Sequence, residues 1–144
     1  MKLRLKYPPI PENAAKFAAG IVKAALDVSG VQLDFKPESL AAVDNIIEGM
    51  RAEGVTYEQI AETLFGFGCY VGEVFVRNNG GIWRIADETQ LKEEIAGSPI
   101  VMELQDGSIN NPVGKVFKRF INGDTDSLTF FYQVFTNLHK FPSK

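Results

Sequence analysis

The chain has 144 residues, a length typical of one domain, and 45% of them are hydrophobic, which is enough to bury a core and excludes a disordered protein. A formal net charge of −3 and a pI near 5.2 argue against a general nucleic-acid or anionic-membrane binder, because such proteins normally carry a basic excess. No apolar run approaches the roughly 18 residues that cross a bilayer, and prolines follow the basic N-terminus where a signal peptide would have its apolar segment.

One cysteine, Cys69, excludes an internal disulfide framework. Together with the absence of a targeting segment, this predicts a cytoplasmic protein that binds neither nucleic acid nor membranes. We expect a monomer or homodimer, with another protein as its partner.

In chain order, residues 1–11 predict an extended arm or edge strand, because apolar and basic side chains alternate up to the first prolines. A first, alanine-rich helix is predicted at residues 12–28, with Val28 among its buried residues. Its alanines suggest close packing against the glycines of the central helix. Pro37 opens a second helix that Gly54 ends.

The longest helical pattern covers residues 56–78 and is predicted to be central, because apolar residues occupy well over half of its circumference. Thr56 and Gln59 form a capping box at its start. Gly68 and Gly72 are expected to face a closely packed neighbour, since each costs about 1 kcal/mol of helix propensity relative to alanine.

A narrower polar stripe is predicted on the same helix. Gly66 should leave a shallow notch in this stripe beside Glu62, Glu73 and Tyr70.

Strand patterns at residues 81–85 and 99–104 and a turn at 105–107 predict a small antiparallel sheet of two or three strands over residues 82–110. Asn111 then caps a fourth helix. Asp124 or Asp126 caps a fifth, with Val134 and Leu138 among its inward residues. The order predicts a single α+β domain over residues 1–144, with about five helices around the central one.

The motifs of common enzyme classes are missing. No phosphate-binding loop occurs, and Gly66-Phe67-Gly68 lies inside a helix rather than at the start of a βαβ unit. His139 and Cys69 are too few for a zinc site, so we predict no metal and no cofactor. Cys69 is interpreted as a buried thiol and His139 as a favourable charge at a helix C-terminus.

The candidate pocket that remains comprises Tyr70, Glu73, Arg77 and Trp83, with Glu73 as a base or anchor. The structural alternative is an ion pair between Glu73 and Arg77 at i, i+4 spacing, with Tyr70 and Trp83 in the core. No residue is assigned a catalytic role. The only basic cluster lies on the outer side of the fourth helix and is interpreted as a solvated face or a docking site for an acidic protein; it comprises Lys115, Lys118 and Arg119.

The run GCYVGE at 68–73, followed by Arg77, Gly80-Gly81 and Trp83, resembles the central motif of small bacterial proteins with a domain of unknown function. In them a G-x-Y-x-G-E helix precedes G-G-x-W, and the stretch at 112–120 is also similar. The resemblance covers residues 33–138. It implies a shared α+β fold, no established activity and no catalytic residue.

Two functions follow as expectations. The first is a non-enzymatic protein-interaction or regulatory domain, such as an immunity-like partner, which the missing catalytic signatures favour. The alternative is a small-molecule-binding protein or minor enzyme that uses the pocket around Glu73, Tyr70 and Trp83.

Overall fold

The computed structural model describes residues 4–137, and this part of the chain forms six α-helices and one three-stranded antiparallel sheet. The α+β fold predicted from the sequence is confirmed. Short 3₁₀ turns precede several elements, at residues 11–13, 37–39, 86–88 and 124–126. The elements are α1 (Ala14–Ser29), α2 (Leu40–Ala52), α3 (Ala61–Asn79), β1 (Ile82–Ile85), α4 (Glu93–Ala96), β2 (Ile100–Glu103), β3 (Ile109–Asn110), α5 (Pro112–Asn122) and α6 (Leu128–Asn137).

Helix α3 is the centre of the fold, since every residue from 64 to 75 is buried. Its glycines admit close neighbours, as predicted for Gly68 and Gly72. A β-carbon on Gly68 would lie 2.5 Å from Val113 Cα of α5, and one on Gly72 would collide with the indole ring of Trp83 in β1. Because these two glycines have no side chains, α5 and β1 can both pack closely against α3.

The predicted polar notch at Gly66 was wrong. A β-carbon there would lie 2.5 Å from the Cγ1 atom of Ile21, so α1 packs into this position. Tyr70 is fully buried and Glu73 is 6% exposed, so neither belongs to a solvated stripe. The first helix was predicted to pack with its alanines against Gly68 and Gly72, and this was wrong, because α5 and β1 occupy those positions and α1 meets the central helix at Gly66 through Ile21.

The start of the central helix also differs from the prediction, because α3 begins at Ala61 and not near Thr56. Thr56 N–H does donate to Gln59 Oε1 at 2.8 Å, which is half of the expected capping box. However, the N–H groups of Gln59 and Ile60 bond to carbonyls three residues back. These bonds close a turn ahead of the helix, and the capping pattern marks that turn.

Residues 4–10 contain no strand, and residues 1–3 lie outside the described part of the chain. The arm instead lies over the start of α3, where Arg4 N–H donates to Glu62 Oε2 at 3.1 Å. Tyr7 packs edge-on against Phe17 of α1, with ring centroids 5.5 Å apart.

The sheet has the order β1-β2-β3 and pairs Trp83 with Met102. Ile82 is 61% exposed and Trp83 is 9% exposed, as expected for adjacent residues on opposite faces of a strand. The predicted turn between β2 and β3 is present, with Gly107 at φ +86°. The sheet therefore presents one face, including Trp83, to α3.

The last two helices begin in different ways. Asn111 caps α5 as predicted, since its Oδ1 atom accepts Gly114 N–H at 2.9 Å. The predicted caps of α6, Asp124 and Asp126, were wrong because they lie in a preceding 3₁₀ turn. Ser127 caps α6 instead, and its Oγ atom accepts Phe130 N–H at 3.2 Å.

Val28 and Val134, both predicted to face inward, are exposed. Val28 is 85% exposed at the end of α1, and Val134 is 40% exposed on α6, while Leu138 lies outside the described residues. Of the helices in residues 4–137, none has the length and hydropathy that crossing a bilayer requires.

Candidate functional site

The structure brings three of the four predicted pocket residues into contact. Trp83 Nε1 donates to Glu73 Oε2 at 3.0 Å, and Arg77 Nε lies 3.7 Å from Glu73 Oε1. The Glu73 side chain is 8% exposed, whereas that of Arg77 is 48% exposed. The carboxylate thus joins the sheet to α3 from within the protein.

Tyr70 belongs to the same helix, but its hydroxyl group serves another contact. It accepts Phe35 N–H at 2.8 Å and lies 2.6 Å from Ser39 Oγ. Burial raises the pKa of this hydroxyl. Tyr70 therefore holds the connection between α1 and α2 against α3.

Phe35 in that connection has a left-handed backbone, with φ +64°. For a residue other than glycine this conformation costs about 1–2 kcal/mol. Asn78 Nδ2 donates to the Phe35 carbonyl at 2.9 Å, and the Arg77 guanidinium carbon lies 3.5 Å from the Phe35 ring centroid. These contacts hold Phe35 in its strained conformation, and the partly exposed Arg77 guanidinium packs on the Phe35 ring.

The thiol of Cys69 is fully buried, as its sequence context predicted. Burial raises the pKa of this thiol, and the nearby Glu73 carboxylate adds to the effect. A thiol kept protonated in this way is a poor nucleophile.

A buried ionic cluster between α2, α5 and α6 was missed by the sequence analysis. Arg119 is 4% exposed; its Nε donates to Asp44 Oδ1 at 3.0 Å, and its Nη1 donates to Glu48 Oε1 at 2.9 Å. Burial alone would lower the pKa of the Arg119 guanidinium, but Glu48 and Asp44 outweigh it and raise that pKa. The same contact holds the pKa of Glu48 below its ordinary value.

Asp44 also completes the cap of α6 from a different helix. It accepts Leu128 N–H at 2.9 Å and Thr129 N–H at 3.2 Å, which supplies partners for two backbone donors of the first turn. The sequence did contain a signal that Asp44 is buried. Asp44 stands four residues after Leu40 and three before Ile47, which places it on the predicted apolar stripe.

The predicted solvated basic face of α5 was therefore wrong for Arg119. Lys115 is also engaged, since its Nζ atom lies 2.7 Å from Asp126 Oδ1 and lowers the pKa of that carboxyl group. Lys118 is the exposed member of the three.

A cleft of about 600 Å³ opens beside α5, and Lys115 and Lys118 are among the residues that line it. We call it the Asn110 cleft. Phenylalanines and aliphatic residues form most of its wall, and polar side chains come from two asparagines and two lysines. The lining residues are Phe65, Leu91, Ile95, Ala96, Gly97, Pro99, Asn110, Asn111, Val113, Gly114, Lys115, Phe117, Lys118, Phe131 and Phe135.

The two asparagines differ in one respect. Asn111 Nδ2 donates to the Ala96 carbonyl at 2.7 Å, and Asn111 Oδ1 caps α5. Asn110 is 3% exposed, yet neither its Oδ1 nor its Nδ2 atom has a hydrogen-bond partner among residues 4–137. Native proteins rarely leave buried polar groups unpaired, so this amide calls for an explanation.

A second groove, of about 540 Å³, lies between α1 and α2, and Thr63 and Phe67 of α3 also line it. Apolar residues of both helices line it, including Ala24, Ile46 and Met50. Val28 and the 51% exposed Leu26 lie on the same helix, α1, where they leave apolar surface open to solvent.

Within residues 4–137, histidine, cysteine, aspartate and glutamate side chains form no group of three or more that could hold a metal ion. His139, predicted to lie at the end of the last helix, is outside the described residues. The prediction of no metal or cofactor stays a prediction.

No protein-family profile, no curated protein and no solved structure matches this chain. The resemblance to small bacterial proteins with a G-x-Y-x-G-E helix therefore stays a prediction. The function proposed below rests on the geometry of the described residues.

Proposed function

We propose that this protein is a non-enzymatic, regulatory binding domain whose ligand is a small, largely apolar molecule held in the Asn110 cleft. The observation that carries the proposal is the cleft itself, which is concave, mostly apolar and about 600 Å³ in volume.

The size and lining of the cleft support this function. Small-molecule sites are typically concave and mostly apolar, with volumes of about 300–1,000 Å³ and a few polar groups that orient the ligand. The Asn110 cleft, at about 600 Å³, has the same character. Among residues 4–137, those that line the cleft carry no carboxylate, imidazole, thiol or hydroxyl group, which supports binding over catalysis.

The proposal does not use the pocket predicted around Glu73. Glu73 is buried and engaged by Trp83 and Arg77, and Tyr70 is engaged by Phe35 and Ser39, which supports a structural role for these residues. An enzyme that uses Glu73 would lose activity on Glu73→Gln substitution while retaining its fold.

The test is a titration of the ¹⁵N-labelled protein with indole, followed by amide chemical shifts. We expect saturable shifts at Ile95, Gly97 and Phe117, which line the cleft. Ala96→Trp would place a ring in the cleft and weaken binding by about tenfold or more. Ala24→Trp is the matched control in the α1–α2 groove and should leave binding unchanged. Shifts confined to that groove, or none at all, would contradict the proposal.

Protein interaction is a second proposed function, and the α1–α2 groove favours it. The 85% exposed Val28 at the end of α1 is part of the groove lining and provides apolar surface of the kind that partners cover. Self-association is the simplest form of this proposal. Val28→Glu should then abolish a concentration-dependent dimer in sedimentation, whereas Ala19→Glu, on exposed surface of the same helix, should not. A wild-type protein that is monomeric throughout would argue against a homodimer.

A cytoplasmic location in a bacterium and the lack of nucleic-acid partners are also part of the proposal. The net charge of −3 and the single cysteine support them. Fractionation of cells that express the tagged protein tests the location, and a gel-shift titration with duplex DNA and RNA tests the partners.

A further inference from the structure

We infer that the ligand of the Asn110 cleft is an aromatic carboxylate, whose ring lies among the phenylalanines and whose acid group faces Lys115 and Lys118. The inference rests on the proposed function and specifies the chemistry of its ligand. Three features of the cleft support it: the sign of the charges in the lining, the position of the Lys115 ammonium group, and the partly exposed phenyl rings.

The charged side chains in the lining all have the same sign. Among residues 4–137, Lys115 and Lys118 are the charged residues that line the cleft, and no carboxylate joins them there. Glu93 and Glu94 of α4 instead line a separate, polar depression. Charges of one sign in an apolar cleft attract a ligand of the opposite sign and repel an organic cation. The lining therefore favours an anionic ligand over a cationic one.

The ammonium group of Lys115 is held in place by the protein itself. Its Nζ atom donates to Asp126 Oδ1 at 2.7 Å and lies 5.7 Å from the ring centroid of Phe131, which also lines the cleft. The Lys115 side chain is 19% exposed, so little water screens its charge. An ammonium group has three donors, and within residues 4–137 the Nζ atom of Lys115 donates to Asp126 alone. Lys115 therefore has donors left for a ligand carboxylate.

Lys118 makes up for the charge that Asp126 neutralises at Lys115. It lies three residues after Lys115 on α5, it is exposed, and the ion pairs within residues 4–137 do not include it. The hydrogen bond from Lys115 lowers the pKa of the Asp126 carboxyl group, and the positive charge of Lys118 lowers it further, so both ammonium groups lie near this carboxylate. The three groups together carry one positive charge in excess. A carboxylate matches this excess, whereas a phosphate monoester carries about −1.5 to −2 charges at neutral pH.

The phenyl rings of the lining favour an aromatic body for the ligand. Phe117, Phe131 and Phe135 line the cleft and are partly exposed. Phe131 and Phe135 pack edge to face, with centroids 5.1 Å apart and an interplanar angle of 64°. A flat aromatic ring can extend such a cluster in offset or edge-to-face contacts. Because Phe131 lies beside the Lys115 ammonium group, a ring with an attached carboxylate can contact both.

The test compares two probes of similar shape that differ in charge, 2-naphthoate and 2-naphthamide. Calorimetric or NMR titration of the full chain at low ionic strength should show 2-naphthoate binding about fivefold more tightly, the upper end of what exposed ion pairs contribute. The preference should shrink in about 0.5 M NaCl, because salt screens the charge of the exposed Lys118.

Three variants test the charges beside the cleft. Lys118→Gln should lower the affinity for 2-naphthoate by about threefold and bring it close to that for 2-naphthamide. Lys36→Gln removes the same charge from an exposed position between α1 and α2, so it is the matched control and should retain the preference. Asp126→Asn removes the opposing negative charge and should raise the affinity for 2-naphthoate by about twofold or more.

The possible results separate the inference from the proposed function. Equal binding of the two probes to the wild type, or a preference that survives Lys118→Gln or does not grow in Asp126→Asn, would overturn the inference and leave the proposed function standing. Tighter binding of 2-naphthamide would also overturn it and point to a neutral ligand. Failure of both probes and of indole to bind would contradict the proposed function itself, and the inference with it.

Discussion

Trp83 and Glu73 connect the first strand to the central helix by one buried hydrogen bond, in which the indole N–H donates to the carboxylate at 3.0 Å. The same indole ring covers Gly72, one residue before Glu73. Because Gly72 has no side chain, the Trp83 ring can pack closely on α3, and this brings its indole N–H within hydrogen-bonding distance of the Glu73 carboxylate. Glu73 fixes the position of the sheet on α3.

Replacement of Glu73 tests this role. Glu73→Leu leaves the indole N–H buried without an acceptor, so we expect a loss of about 2 kcal/mol in the free energy of unfolding. Glu73→Gln retains an acceptor and should lose about 1 kcal/mol or less. Urea denaturation of both variants measures the difference. Equal stability of the Leu and Gln variants would mean that the bond contributes nothing.

The close approach at Gly72 gives a second prediction. Gly72→Ala should destabilise the protein by about 2 kcal/mol or more, because the new β-carbon collides with the Trp83 ring, which is buried and hydrogen-bonded to Glu73. Gly20→Ala is the matched control, since nothing lies within 4 Å of its β-carbon position on exposed surface of α1. That substitution should stabilise the protein by roughly 0.5–1 kcal/mol through helix propensity. A Gly72→Ala variant as stable as the wild type would refute close packing at this position.

Asp44 provides a third prediction, because it serves both Arg119 and the start of α6. Asp44→Ala leaves a buried guanidinium without one of its partners and uncaps α6, so we expect a loss of about 3–5 kcal/mol. The matched control is Asp27→Ala, which removes an exposed i, i+4 pair with Lys23. The control should cost about 0.5 kcal/mol or less. Thermal denaturation of the two variants checks the contrast.

The sequence predicted the fold well where the signal was local. Asn111 before Pro112 predicted a helix start, and the turn at Gly107 predicted a hairpin. Both predictions held because capping and turn geometry depend on residues that are adjacent in the sequence. The glycines of α3 also predicted close packing, because their cost in helix propensity needs a compensating contact. Their partners, Val113 and Trp83, could not be read from the spacing.

Predictions failed where a residue's contacts come from segments that are distant in the sequence. Asp44 caps a helix more than 80 residues away in the chain, and no local pattern predicts that contact. Arg119 was assigned to a solvated face because a charged residue usually is, yet its carboxylate partners lie on α2. The Asn110 cleft was missed for the same reason, as its lining comes from five separate segments and a lone asparagine in a strand gives no signal.

The two neighbouring asparagines lead to a fourth prediction. Asn110→Leu replaces an unpaired buried amide by an apolar side chain of similar size, so the variant should be as stable as the wild type or up to about 2 kcal/mol more stable. Asn111→Leu should lose about 1–2 kcal/mol, because Asn111 caps α5 and bonds to the Ala96 carbonyl. Strong destabilisation of Asn110→Leu would mean that this amide is already satisfied within the fold.

The backbone amide signals of Gly97 and Phe117, followed during a titration with indole, test the binding site most directly. We predict that both signals shift and saturate with one dissociation constant in the wild type, and that Ala96→Trp weakens this binding by about tenfold or more. Signals that stay unchanged, or that saturate equally well in the Ala96→Trp variant, would contradict the assignment of the cleft as the binding site.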